Sequence, residues 1–335
     1  MTSQDNVRCG TRTVAARGAH GRRPMLAAVA ALALLAGTAG AQARGLLIGF
    51  SQATLQSPFY VQLKNGAEAA ARADGNRVIV LDANGDVNKQ NNDIQDLLTR
   101  GVKVLIINPV NPDAVAPALQ SASDAHVPVM TVDRNIHGNG VVAYVGRNNE
   151  KMGRIVGQEL VGLLQKAGKP HATIIEIQGD AGGTVMEQRR DGFNGVAKAA
   201  GMKLVMGPYA EYVRANAVTA MQDLLQAHPE VNAVYAHNDD MALGALQVLR
   251  ENNRNDVLVA GVDGLSEAVK QIASGHQYVA TAENDPIKLG QVTVQTAEKI
   301  AAGGKPPSFV DAGTALIDKQ TVDQYNTSAV FAQHK

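Results

Sequence analysis

The chain has 335 residues, a balanced formal charge, 45% apolar residues and 19% charged ones. That is an ordinary globular composition in a chain longer than one hydrophobic core usually organises, so two domains are expected. Aromatics are scarce at 4%, Trp is absent, and the single cysteine, Cys9, lies near the start. Disulfide, thiol and cysteine–metal chemistry are therefore excluded from everything after it.

Residues 1–24 carry Arg8, Arg12, Arg17, Arg22 and Arg23 against one acid, Asp5. An uninterrupted apolar run follows from Met25 to Gly37, and then TAGAQA ends at Ala43. Basic, apolar, then small residues in an A-x-A arrangement is the order of a secretory signal, expected over residues 1–43. The apolar run falls short of the ~20 residues of a membrane span. Arg22-Arg23 loosely fits a twin-arginine signal, but a basic n-region for general secretion is the plainer reading. Cleavage after Ala41 or Ala43 leaves a mature chain from about Arg44 that is mildly acidic and lacks a nucleic-acid binder's electrostatic footprint.

From Leu46 onward, strand-like and helix-like segments alternate. Strands are expected at 46–51, 77–82, 103–108, 128–132, 141–145, 171–177, 202–206, 231–235, 257–261 and 278–282. Short runs of Val, Ile and Leu bounded by turns read as strands buried on both faces. Apolar residues at helical spacing lie between them, such as Val61, Ala67 and Ala70, or Val218, Met221, Leu224 and Leu225. This alternation predicts an α/β protein with parallel sheets and right-handed crossovers. The pattern breaks once, at RNIHGNG after Asp133-Arg134, followed by a short strand and a long helix-like segment from Asn148 to Ala167. A first boundary is expected near Arg147, between two similar α/β halves. Gly138-Asn139-Gly140 leads into a strand, whereas a dinucleotide fingerprint opens a helix, so it reads as a turn.

The segment FSQATLQSPFYVQLKNGAE (50–68) leaves a strand and places Phe59 and Tyr60 just after Ser57-Pro58. Serine is a good N-cap and proline suits the first helical turn, so both rings sit at the first strand–helix crossover. Open α/β sheets bind ligands at such crossovers. The rings are either a wall for a flat, weakly polar ligand such as a sugar, or a staple between loop and core. Polar residues recur at the C-terminal ends of later strands: Asn108, Asp133-Arg134, Asn238-Asp239, Asp263 and Asn284. Singly, each reads as a turn or cap residue; together they mark one edge of each sheet. Arg189 is expected to open a helix of the second half. Carboxylates accept from hydroxyls and guanidinium forks donate to them, so this set suits a hydroxyl-rich ligand.

Motifs for an enzyme are missing: no G-x-S-x-G, H-E-x-x-H or G-x-x-x-x-G-K-[ST] occurs. Asp82 to Asn88 hints at a calcium loop, but Val87 stands at its glycine and Asp93 at its bidentate Glu, so a turn is expected. His237, Asp239 and Asp240 on one strand-to-helix turn point apart and read as turn and cap rather than as metal ligands. No cofactor or metal is expected.

Five blocks, TLQSPFYVQLKNGAE (54–68), KVLIINPVNPDAVAPAL (103–119), PVMTVDRN (128–135), NDDMALGAL (238–246) and AGVDG (260–264), resemble in order the periplasmic sugar-binding proteins of ABC importers, in their ribose-binding branch. The resemblance implies a type I periplasmic binding protein: two doubly wound parallel-sheet lobes joined by a three-segment hinge, with a monosaccharide between them. It implies lobes of 44–147 plus 284–313 and 148–283 plus 314–330. It further implies aromatic walls from Phe59, Tyr60 and Tyr212, first-lobe contacts from Ser57, Asn108, Asp133 and Arg134, and second-lobe contacts from Arg189, Asn238 and Asp263, with Asn284 near the hinge. Ser57 stands where ribose binders have Asn, Tyr212 where they have Phe, and Asn284 where they have Gln, which leaves pentose, hexose and sugar alcohol open. The function expected is that of an exported, non-enzymatic and monomeric solute-binding protein that hands a monosaccharide or polyol to an ABC permease. A chemotaxis or sensor receptor is the alternative. The effector domain of a transcription regulator shares the fold but would need a helix-turn-helix where residues 1–43 read as an export signal.

Overall fold

The computed structural model describes residues 45–136 and 138–335; the export signal expected over 1–43 lies outside them. The alternation read from the sequence folds into two six-stranded sheets. Strands β1 (Leu47–Gln52), β2 (Arg77–Asp82), β3 (Val104–Ile107), β4 (Val129–Val132) and β5 (Ala143–Gly146) form the first, and β11 (Phe309–Asp311) adds its edge. The second holds β6 (Thr173–Gln178), β7 (Lys203–Tyr209), β8 (Ala233–Ala236), β9 (Leu258–Ala260) and β10 (Tyr278–Ala282), with β12 (Leu316–Asp318) at its edge. The orders are 11-5-4-3-1-2 and 12-10-9-8-6-7, so each sheet repeats one topology. Within these two sheets all pairings are parallel except β10 with β12. Each of the ten strands expected from the sequence is present, shifted by at most three residues at an end. The edge strands β11 and β12 were not anticipated, because three-residue strands carry no legible period.

Nine α-helices connect these strands among the described residues: α1 (Pro58–Ala73), α2 (Val87–Thr99), α3 (Ala116–Asp124), α4 (Asn149–Lys166), α5 (Thr184–Ala199), α6 (Arg214–Ala227), α7 (Asp239–Glu251), α8 (Ser266–Ser274) and α9 (Pro286–Ala301). Strand faces alternate as a doubly wound sheet requires. In β3, Val104 and Ile106 join one buried cluster while Leu105 and Ile107 join another on the opposite face. In α1 the buried stripe is Leu63, Ala67 and Ala71, with Phe59 and Tyr60 at its start. Val61, expected on that stripe, is exposed; it stands two residues before Leu63, about 200° around the helix from the stripe that Leu63, Ala67 and Ala71 form at four-residue spacing.

Helix starts decide where polar side chains gather. Ser57 caps α1 by accepting from the Phe59 N–H, and Asp86, Asn148, Asn238 and Asp285 cap α2, α4, α7 and α9 in the same way. Capping satisfies N–H groups that a helix start leaves unpaired. Because each helix follows a strand, the caps collect at the C-terminal edges of the sheets. Asp86 thus spends its carboxylate on Asn88 and Lys89 N–H groups, consistent with the turn reading of that segment.

Two helix pairs approach through glycine. A methyl group at Gly66 of α1 would overlap the Ile287 backbone, and one at Gly153 of α4 would overlap the Arg189 carbonyl of α5. Gly153→Ala is expected to push α5 outward and destabilise the protein by about 1–3 kcal/mol, the usual range for an overpacked contact between rigid groups. Urea unfolding of the variant checks this; an unchanged midpoint would show that α5 moves freely.

Candidate functional site

In each sheet the strand order reverses beside β1 or β6, the place where open α/β sheets form a crevice. A small cavity of about 20 Å3 lies there, lined by Ser57, Phe59, Tyr60, Asp133, Val185, Arg189, Tyr212, Asn238, Asp263 and Asn284. Nine of these ten are residues singled out from the sequence.

The aromatic walls come from both sheets. Phe59 meets Tyr60 edge-on at 5.6 Å and also packs at 5.9 Å against Phe331 of the C-terminal segment. It is thus a staple and a cavity wall at once. Tyr212 precedes α6 in a left-handed conformation (φ 59°), and its ring lies against Gly179, where any Cβ would overlap it. Its hydroxyl is buried without a hydrogen-bond partner.

The polar groups form an interlocked set. Arg189 sits in the second turn of α5 rather than at its start. Its Nε donates to Asn149 Oδ1 at 2.9 Å, its Nη1 to the His237 carbonyl at 2.5 Å, and its Nη2 lies 3.4 Å from Asp263 Oδ1. Asn284 Nδ2 donates to the same Asp263 oxygen at 2.9 Å, and Asn284 Oδ1 accepts from Arg147 Nη1 at 2.7 Å. Arg147 also donates to the Asp285 and Gly313 carbonyls, tying together two of the places where the chain passes between sheets. Asn238 both caps α7 and donates to the Tyr212 carbonyl at 3.3 Å.

Asp133 and Asp263 hold positive φ angles of 62° and 123°. Such conformations are costly for residues other than glycine and persist where the surroundings fix them, commonly at functional sites. The Asp133 backbone is held by a bond from its N–H to the Val145 carbonyl and by the Tyr144 hydroxyl, which donates to its own carbonyl at 2.8 Å. No described side chain donates to its carboxylate, and burial raises its pKa against the pull of Arg134 and Arg189. Burial likewise pushes the Asp263 carboxyl up to about 7, with Arg189 acting in the opposite direction. Desolvated acceptors of this kind are relieved by hydroxyl donors from a ligand.

Two residues from the sequence reading do not line this cavity. Asn108 is fully buried: its Nδ2 approaches Gln52 Oε1 at 3.5 Å and its Oδ1 has no partner. Arg134 stands at the outer side, its guanidinium 5.6 Å from the centre of the Tyr60 ring. Val185, Asn149, Arg147 and Asp180 were missed. Asp180 follows β6 as Asp263 follows β9, so the strand-end signal that found the others applied to it too. Val185 on an apolar helix turn gave no signal. His237, Asp239 and Asp240 diverge as expected, toward Glu176, toward Tyr278 with Thr281, and toward Arg214.

A family model for the periplasmic binding protein domain matches residues 48–305. The chain belongs to this family. The ribose import binding protein of Escherichia coli (strain K12) is 37% identical over 267 residues, 80% of this chain and 88% of that protein. A crystal structure of an ABC transporter solute binding protein from Mycobacterium smegmatis with bound glycerol is 55% identical, with a TM-score of 0.84, covering 87% of this chain and all of that one. The crystal structure of a galactofuranose binding protein is 26% identical with a TM-score of 0.78, over 83% of this chain and 96% of that one. These relatives are binding proteins, and the type I fold expected from the sequence is the one they share.

Proposed function

We propose that the protein is an exported solute-binding protein that captures a monosaccharide or sugar alcohol between two lobes and delivers it to the permease of an ABC importer. The observation that carries this reading is the cavity itself: aromatic rings from both sheets enclose two desolvated carboxylates, a guanidinium and two carboxamides. The lobes are taken as 44–147 plus 284–313 and 148–283 plus 314–330, with the links near 147, 284 and 313 as hinge. Ligand touching both lobes favours the closed arrangement by binding it more tightly than the open one. The site does no covalent chemistry: among the residues lining it, no nucleophile is paired with a base. The protein works as a monomer in the periplasm. A chemotaxis or sensor partner would recognise the same closed form, and direct binding assays with the permease of its own operon separate the two.

Thermal shift with D-ribose, L-arabinose, D-allose, D-fructose, myo-inositol and glycerol tests the reading, since a bound ligand stabilises by RT ln(1 + [L]/Kd). At least one compound should raise the melting temperature, and no response from any of them would refute sugar capture. Asp133→Ala removes a carboxylate with no described hydrogen-bond donor of its own. Folding is therefore expected to persist while affinity falls about 100-fold or more, the scale of a hydrogen bond to a charged group plus the loss of its geometry. Unchanged affinity in that variant would remove Asp133 from the site.

A further inference from the structure

Among the described residues, one ion pair joins the first sheet's loops to the second's. Arg134, after β4, places Nη2 3.2 Å from Oδ2 of Asp180, which follows β6. Both side chains are nearly buried. The pair stands beside Tyr60, and Tyr60 belongs to two cavities: the sugar cavity and an outer one of about 280 Å3. Ser57 is the other residue the two cavities share, while Arg134 and Asp180 line the outer one alone. Ser57 and Tyr60 are therefore the partition between them, and the ion pair backs Tyr60 from the outer side, with the Arg134 guanidinium 5.6 Å from its ring centre.

The loop is built around this arrangement. A Cβ at Gly183 would overlap the Asp180 carboxylate, and one at Gly179 would overlap the Tyr212 ring. Glycines thus make room on both sides for the two side chains that meet the cleft. Around the pair, Arg134 Nε, Asp180 Oδ1 and the Tyr212 hydroxyl are all buried without hydrogen-bond partners. Buried polar atoms are ordinarily paired, and a cluster of unpaired ones calls for a cause. A donor, an acceptor and a hydroxyl able to do either suit the end of a hydroxylated ligand and have nothing to offer an apolar cap on it.

We propose that Asp180 determines specificity: by fixing Arg134 across the cleft, it closes the outer end of the sugar cavity, so that the protein accepts a free monosaccharide or polyol and rejects the same molecule carrying a substituent at that end. This rests on the sugar-binding reading above. Removal of the Asp180 carboxylate frees Arg134, the brace behind Tyr60, and lets the partition yield toward the outer cavity, which has room and polar walls for an added group.

The test is calorimetric titration of the wild type, Asp180→Ala and Asp180→Asn with D-ribose, D-allose, D-fructose and myo-inositol, and with the mono-O-methyl isomers of each. The wild type should bind at least one free compound and reject all its methyl isomers by about 10- to 100-fold, the scale on which a pocket discriminates one misplaced methyl group. Asp180→Ala should weaken the free compound about 10-fold, as for one lost charged hydrogen bond, and bring at least one methyl isomer to within about threefold of it. Asp180→Asn keeps the size without the charge and should lie between, and it carries the test if the alanine variant does not fold. Rejection of every isomer by the variants as by the wild type would overturn the proposal, as would a wild type that accepts one. Absence of binding by any free compound is a different result: it removes the sugar-binding reading, and this inference with it.

Discussion

Replacing Arg189 with alanine is expected to abolish ligand binding and to lower stability by about 3–5 kcal/mol, the cost of breaking a buried charge pair by deleting one partner. Arg189 is 3% exposed and serves three acceptors on three different elements: Asn149 at the start of α4, the His237 carbonyl after β8, and Asp263 after β9. Deletion leaves the Asp263 carboxylate with Asn284 as its one described side-chain hydrogen-bond donor, and strands the His237 carbonyl. For a chain of this size the melting temperature should fall by roughly 10 °C. Lysine in its place keeps the charge but not the planar fork, so it cannot reach three acceptors at once. Arg189→Lys should therefore recover part of the stability and little of the affinity. Urea unfolding and calorimetry with the six-compound panel separate the two effects. Near-normal affinity in the alanine variant would show that Arg189 is a structural strut alone.

The residues that mattered were legible because the fold sends each strand's C-terminal end to the same place. Asp133, Asn238, Asp263 and Asn284 share no local motif; what they share is a position just past an apolar run, and parallel strands turn that position into one edge. Legibility stops where a partner is distant in sequence. Nothing near Arg147 announces that its guanidinium will hold Asn284, and nothing near Arg134 announces Asp180, because those pairings exist only once the two sheets face each other. Helical positions are also harder to read than strand ends. Arg189 was expected to open a helix and instead lies a turn and a half inside α5, since Gly182-Gly183 rather than a polar capping side chain starts that helix. Val185 enters the cavity from the first turn of the same helix as an ordinary apolar residue, which the sequence cannot tell from core.

Asp239 is expected to make the protein less stable at neutral pH than its packing alone would allow. It is fully buried, and its carboxylate accepts from the Tyr278 hydroxyl at 2.6 Å, the Leu265 N–H at 2.8 Å and the Thr281 hydroxyl at 2.9 Å. No cation is paired with it among the described contacts. Burial pushes its carboxyl up to about 6, against the hydrogen bonds that favour the charged form. The folded protein therefore holds this proton more tightly than the unfolded chain does. The stabilisation is complete below about pH 4 and is lost as pH rises through about 6; relative to the ordinary value near 3.9 the gap is worth about 3 kcal/mol. Asp239→Asn imitates the protonated form at every pH, so its stability relative to wild type should rise by about 3 kcal/mol between pH 4 and pH 8. Urea unfolding at several pH values measures that difference directly, and a flat difference would mean that the buried carboxyl titrates at its ordinary value. The reason to keep a carboxylate lies two residues upstream of its Leu265 contact. Asp263 stands there in its left-handed conformation, and the loop that carries it is held by the bond from Leu265 to Asp239. A carboxamide keeps one acceptor oxygen for the Leu265 N–H and Thr281 and presents an NH2 group to Tyr278, whose hydroxyl must turn to accept. Its neutral oxygen holds the Leu265 loop more weakly than a carboxylate does, so the variant should gain stability at pH 8 while its affinity for ligand falls. Stability and binding moving in opposite directions in one variant would show that Asp239 positions Asp263 rather than merely filling the core.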